Sequence, residues 1–150
     1  MTLNYSKEWK EAKNINRAYR SRLLRAKNKI NTMLKSGTCL LLTFTFTDKC
    51  LAKTTFETRK QKVRRFLSAH NCNYIANVDY GKQHNREHFH SIAQIDKVDF
   101  SLFNKYGALN GKVITKKNAK QLAKYIVKGT NKNIAINKKL MHLMYNRTLS

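Results

Sequence analysis

The chain has no proline, five glycines, three cysteines and eight acidic residues among 150. Without proline or a low-complexity stretch, no linker divides it, and no internal repeat suggests a solenoid. The cysteines, Cys39, Cys50 and Cys72, are odd in number and form no C-x-x-C. Nothing in that pattern suggests a disulfide framework or a cysteine-rich zinc site. They read as reduced bystanders, with Cys39 buried at the start of an apolar strand. No apolar run reaches the roughly 18–20 residues of a membrane span, and the first residues hold no apolar signal-peptide core. A cytoplasmic protein without a membrane partner is expected.

The scarcity of acid has a counterpart: 31 lysines and arginines give a net charge of +23, distributed along the whole length. Such an excess repels itself and points to a polyanionic partner, nucleic acid first. A hydrophobic content of 41% argues for a folded globule rather than a basic tail, and the length suits one domain.

Residues Ser6 to Lys35 read as a long basic helix. Trp9, Ala12, Tyr19, Leu23, Ala26, Ile30 and Met33 recur in alternating steps of three and four, broken at Asn16. That stripe suits either a helix laid on the domain's own sheet, the preferred reading, or a coiled-coil homodimer. Lys13, Arg17, Arg20 and Lys27 then face outward, open to phosphates, and Ser36-Gly37 ends the helix. Cys39 to Asp48 is a strand in which Leu42, Phe44 and Phe46 alternate with Thr43, Thr45 and Thr47, giving a core face and a hydroxyl face. Thr54-x-x-Glu57 reads as a capping box opening a helix to Ala69. Phe56, Val63, Phe66 and Leu67 would point inward, and Arg59, Lys60, Lys62 and Arg64 outward. Strands follow at Asn73–Tyr80 and His88–Asp96, around a polar turn from Gly81 to Glu87. A short helix at Asp99–Tyr106, a strand at Gly111–Thr115 and a helix at Lys117–Lys128, stopped by Gly129, complete the core. Leu140, Met141, Leu143 and Met144 suggest a last short helix.

His88-Phe89-His90 places two imidazoles on one strand face. If the two flanking strands form a hairpin, Asp79 lies opposite His88 and Asn77 opposite His90. Two imidazoles and a carboxylate with open positions suit a divalent ion that also holds a substrate oxygen. His84 and Glu87 are nearby substitutes, although Glu87 should face the other way. On the following helix Lys117, Gln121, Tyr125 and Lys128 form one stripe, while Ala119, Leu122, Ala123 and Ile126 face the core. A tyrosine among lysines can serve as a nucleophile, because positive charge favours the phenolate.

A Thr-rich strand, an acid followed by His-hydrophobic-His, and Tyr-x-x-Lys on a helix occur in that order. The pattern resembles the HUH endonucleases, in particular the single-tyrosine rolling-circle replication initiators of small plasmids, phages and single-stranded DNA viruses. Leu42-Thr43-Phe44-Thr45 is similar to their first motif. Asp79-Tyr80-Gly81 with Arg86-Glu87-His88-Phe89-His90 is similar to the second, and Tyr125-Ile126-Val127-Lys128 to the third. Asp79 stands where glutamate is commoner, and no ATPase motif follows.

The resemblance implies an α+β fold with a central antiparallel sheet of about four to five strands and flanking helices. The organisation would be a basic helical extension at 1–36, a catalytic domain at 37–130 and a short helical segment at 131–150. It implies Tyr125 as nucleophile, Lys128 as phosphate-positioning group, and His88, His90 and Asp79 as ligands of Mg²⁺ or Mn²⁺. Thr43, Thr45, Arg86, Lys117, Gln121 and Lys124 would contact DNA, and Tyr80 or Phe89 could stack on bases. The partners would be single-stranded DNA at a replication origin and a host helicase and polymerase. Within the same chemistry a relaxase usually carries a third histidine, absent here, and a small transposase does not favour the lysine after the tyrosine. The reading from another class is a non-catalytic nucleic-acid-binding regulator.

Overall fold

A computed structural model describes residues 7–80, 86–127 and 142–146, with side chains from Arg17 onward. Its elements are helix α1 (Lys7–Ser36), strand β1 (Cys39–Phe46), helices α2 (Asp48–Lys53) and α3 (Phe56–Ala69), and strands β2 (Tyr74–Tyr80) and β3 (Glu87–Gln94). A 3₁₀ turn (Phe100–Leu102), strand β4 (Gly107–Ile114), a 3₁₀ turn (Lys116–Asn118), helix α4 (Ala119–Val127) and strand β5 (Met144–Tyr145) follow. The fold is α+β: the five strands form one sheet in the order β4-β1-β3-β2-β5, and every pairing is antiparallel.

The sheet has a core on each side. Leu42, Phe44 and Phe46 of β1 join Phe89, Ala76 and Val78 against Val63, Phe66 and Leu67 of α3. Phe44 meets the rings of Phe66 and Phe103 edge-on at 5.2 Å, an arrangement worth about 0.5–1.5 kcal/mol per pair beyond area burial. On the opposite side Cys39, Ile75, Ile92 and Ile114 pack under Ala26, Ile30 and Met33 of α1 and Ala119, Ala123, Ile126 and Val127 of α4. The stripe expected on the first helix therefore lies on the chain's own sheet from Tyr19 to Met33. It is not free for a coiled-coil partner over that length. Covering both faces explains the run Cys39-Leu40-Leu41-Leu42, whose residues are apolar on both sides of the pleat.

Several boundaries differ from those read in the sequence. Thr47 accepts from the Cys50 amide and opens α2, a one-and-a-half-turn helix that the Thr alternation hid. The N-cap of α3 is Thr55, which accepts from the Thr58 amide, so the box at Thr54 and Glu57 is displaced by one residue. Thr54 instead donates to the Cys50 carbonyl. Asn71, at φ 49°, takes the left-handed conformation just past the end of α3. Arg59, expected outward, is buried: its guanidinium forks onto the Glu87 carboxylate at 2.7 and 3.0 Å.

Phe100–Leu102 is a single 3₁₀ turn rather than a helix to Tyr106. Strand β4 begins four residues earlier than predicted, at Gly107. A Cβ there would overlap the backbone of Thr45 and Phe46, so glycine lets β4 close on β1. Met144–Tyr145 is a short strand pairing with Ala76 and Ile75, not a helix. Leu140 and Met141, like Lys128, Gly129 and most of the Gly81–Glu87 turn, lie outside the described residues. Among the described residues no helix is long and apolar enough to cross a membrane.

Candidate functional site

The hairpin of β2 and β3 pairs Asp79 with His88 and Asn77 with His90, the register obtained by counting. Strand β1 pairs with the other edge of β3, and there Thr43 lies opposite His90. Side chains at paired positions share a face, so Thr43, Thr45, His88, His90, Asn77 and Asp79 gather on the side of the sheet that carries α1 and α4. Glu87 and Phe89 point to the other side. Phe89 is fully buried there between Phe46 and Phe56, and Tyr80, opposite Glu87 in the ladder, shares that face. Neither can stack a base beside the histidines, against expectation.

The threonine hydroxyls meet the imidazoles directly. Thr43 Oγ1 is 3.2 Å from His90 Nδ1, and Thr45 Oγ1 is 2.9 Å from His88 Nδ1. A hydroxyl can accept from or donate to a ring nitrogen. With Nδ1–H donating to threonine, Nε2 of each ring keeps its lone pair for a further partner. The rings lie nearly parallel with centroids 6.2 Å apart. Thr43 and Thr45, expected to touch DNA, thus orient the histidines.

Helix α4 brings the tyrosine to this face. Tyr125 Oη is 2.9 Å from His90 Nε2, and the two rings are 4.8 Å apart. Asp79 Oδ2 is 4.0 Å from the same nitrogen, while Oδ1 accepts from the Tyr80 amide. Asn77, fully buried, donates from Nδ2 to the Ile126 carbonyl at 2.7 Å and accepts the Val78 amide. It pins the last described turn of α4, and with it Tyr125, to β2, the neighbour of the histidine strand. Its place opposite His90 was legible in the sequence, but nothing there marked it as a helix anchor.

Burial, and then the negative charge of Asp79, push the Tyr125 phenol above its usual value. The lowering expected from neighbouring lysines is not seen among the described residues. Lys124 and Gln121 are exposed on α4, flanking Tyr125. Lys117 is exposed in the 3₁₀ turn that precedes the helix, so the stripe it was to share with Gln121 is interrupted. Arg86 is tied down, its guanidinium bridging Asp48 at 2.8 Å and the Phe46 carbonyl at 2.7 Å.

Two imidazoles and a carboxylate on one face have the donor chemistry for a hard or borderline divalent ion, and the Nδ1–threonine contacts match the outer-shell bonds that orient metal-binding histidines. Among the described residues, however, no three His, Cys, Asp or Glu side chains are gathered closely enough to hold one. The nitrogen of His90 that faces Asp79 is the one bonded to Tyr125. No family model, curated protein or solved structure shows significant similarity to the chain.

Proposed function

We propose that the chain is a metal-assisted single-stranded DNA nickase and ligase of the HUH type, with Tyr125 as nucleophile, acting in the initiation of rolling-circle replication. The observation that carries this reading is the 2.9 Å approach of Tyr125 Oη to His90 Nε2, on a sheet face shared with His88 and Asp79. Chain order had separated these groups by up to 46 positions. The five-stranded antiparallel sheet with helices on both sides is compatible with the HUH architecture.

In the proposed reaction Tyr125 Oη attacks a backbone phosphorus. A P–O(tyrosine) bond forms, the P–O3′ bond breaks, and the departing 3′-oxygen takes up a proton. The product is a 5′-phosphotyrosyl strand and a free 3′-hydroxyl, and the phosphodiester energy kept in the new ester lets the same site rejoin ends. In the arrangement seen here Tyr125 Oη shares its proton with His90 Nε2; with an ion on that nitrogen, the proton would pass to solvent instead. Thr43 and Thr45 hold both imidazoles in place through their Nδ1 atoms. Mg²⁺ or Mn²⁺, when bound to His88, His90 and Asp79, would neutralise charge on the phosphate oxygens. Because His90 Nε2 serves one partner at a time, its use as a ligand would require Tyr125 to give up that contact. Lys124 and Gln121, exposed on the helix that carries Tyr125, are assigned contacts to the flanking phosphates, and Lys128 is assigned the same task from its motif.

A second reading rests on the hydrogen-bonded state of the cluster: both Nδ1 atoms and His90 Nε2 already have partners. A satisfied polar cluster is what a non-catalytic nucleic-acid-binding protein would keep. The two readings separate on a denaturing gel after incubation with random single-stranded DNA and Mn²⁺. A covalent adduct that requires metal and vanishes in Tyr125→Phe establishes the nickase. Salt-sensitive binding without an adduct, from a pool deep enough to contain any short site, establishes the binding protein.

A further inference from the structure

We infer that the outward face of α1 is a second nucleic-acid surface, which holds the phosphate backbone of a duplex next to the tyrosine site. The inference goes beyond the proposed chemistry and does not need it.

Residues 12–47 contain eight lysines and arginines and no acid. From Tyr19 to Met33 the apolar stripe of α1 is used up against the sheet and α4. What remains exposed includes Arg17, Arg20, Arg25 and Lys35, with Asn28 and Thr32 between them. The two arginine–carboxylate pairs among the described residues involve Arg59 and Arg86, and neither draws on α1. The exposed guanidinium groups are therefore available for phosphates, which they can take bidentately.

Topology sets where this face lies. Helix α1 ends at Ser36, three residues before Cys39, and α4 begins five residues after Ile114. Cys39 and Ile114 are paired across β1 and β4. The C-terminus of α1 and the N-terminus of α4 thus share one end of the sheet, and the helices run antiparallel. At about 1.5 Å per residue, Tyr125 lies about 9 Å along α4 from that shared end, whereas the 30 residues of α1 extend about 45 Å from it. A rigid basic rod therefore leads away from the candidate site on the same side of the sheet.

Side-chain chemistry selects the partner. Single strands are gripped by aromatic platforms on which bases stack, and from Arg17 to Ser36, where side chains are described, the exposed face of α1 offers none. Arginine, lysine, asparagine and threonine on a rigid helix suit sequence-independent contacts to the backbone of a duplex.

The test compares Arg17→Gln/Arg20→Gln/Arg25→Gln/Lys35→Gln with the parent chain, both carrying Tyr125→Phe so that no adduct forms. Fluorescence anisotropy is read with a random-sequence duplex, a single strand of equal length and anionic phosphatidylserine vesicles, across a salt series. All four residues are exposed, and circular dichroism checks that the fold is kept. Duplex affinity should fall at least about tenfold, and the slope of log affinity against log salt should flatten by about three to four, with the single strand affected less. Equal losses for duplex and single strand, an unchanged duplex affinity, or loss of vesicle binding alone would each overturn the inference. A chain that makes no adduct yet shows the duplex effect would leave the inference standing while removing the nickase.

Discussion

Thr43 and Thr45 touch the imidazoles, so their hydroxyls belong to the histidines before they belong to any substrate. Replacing either with valine keeps the volume and the β-branch but removes the partner of Nδ1. Outer-shell losses of this kind typically weaken metal binding about 10- to 100-fold. In Thr43→Val and Thr45→Val, Mn²⁺ binding followed by calorimetry should fall within that range with little change in melting temperature. Unchanged Mn²⁺ affinity in both variants would show that the ring contacts do not orient ligands. The alternation Thr43-Phe44-Thr45 already marked a hydroxyl face in the sequence. It could not say that β3, which begins more than 40 positions later, would slide its histidines alongside.

Helix α3 is fastened to the histidine strand through its opposite face. Arg59 forks onto Glu87, the residue before His88, and also donates to the Thr54 carbonyl. The hydrogen bond to the carboxylate beside it raises the Arg59 guanidinium above its usual value. Both partners are under 10% exposed, and removing one leaves the other charged and unpaired at a cost of about 3–5 kcal/mol. Urea denaturation of Glu87→Ala or Arg59→Ala should show a loss of that order. The paired replacement Arg59→Met/Glu87→Leu should recover most of it; failure to recover would mean that the pair's geometry, rather than charge compensation, holds α3 in place. Helical spacing alone put Arg59 among outward basic residues, since a wheel drawn on α3 contains no information about a carboxylate 28 positions away. The same limit hid α2, whose threonine cap looked like one more residue of the preceding strand. It also hid β5, where four apolar residues suggested a helix but the vacant edge of β2 took two of the chain's last residues as a strand.

At the scale of the whole molecule, the sheet is covered on both faces, and its thiols record that. Burial pushes the Cys39 and Cys72 thiols up to about 11 from 9.0. A raised value means the folded state holds its protons more tightly than the unfolded chain does. The stability these groups contribute is full below pH 9 and is lost as pH rises through about 11. Thermal melts should decline over that window, and less so in Cys39→Ala/Cys72→Ala relative to that variant's own stability at pH 8. At pH 8 both thiols should resist iodoacetamide in the folded protein. Equal decline in the variant would place the alkaline loss elsewhere, for instance in the tyrosines.

Local chemistry was legible along the chain. Period-two alternation marked β1 and the His88–His90 pair, period 3.6 marked the stripes of α1, α3 and α4, and counting across the Gly81–Glu87 turn set Asp79 against His88. These follow from backbone geometry within a few residues, which the sequence by itself determines, together with the net charge of +23. Only the tertiary structure decided which strands lie side by side, that α1 spends its apolar stripe on the chain's own core, that Phe89 and Arg59 are buried, and that Tyr125 meets His90 while Asn77 holds its helix. Those outcomes depend on the joint packing of segments far apart in sequence, where the gain from burying one face is set by what already covers the other.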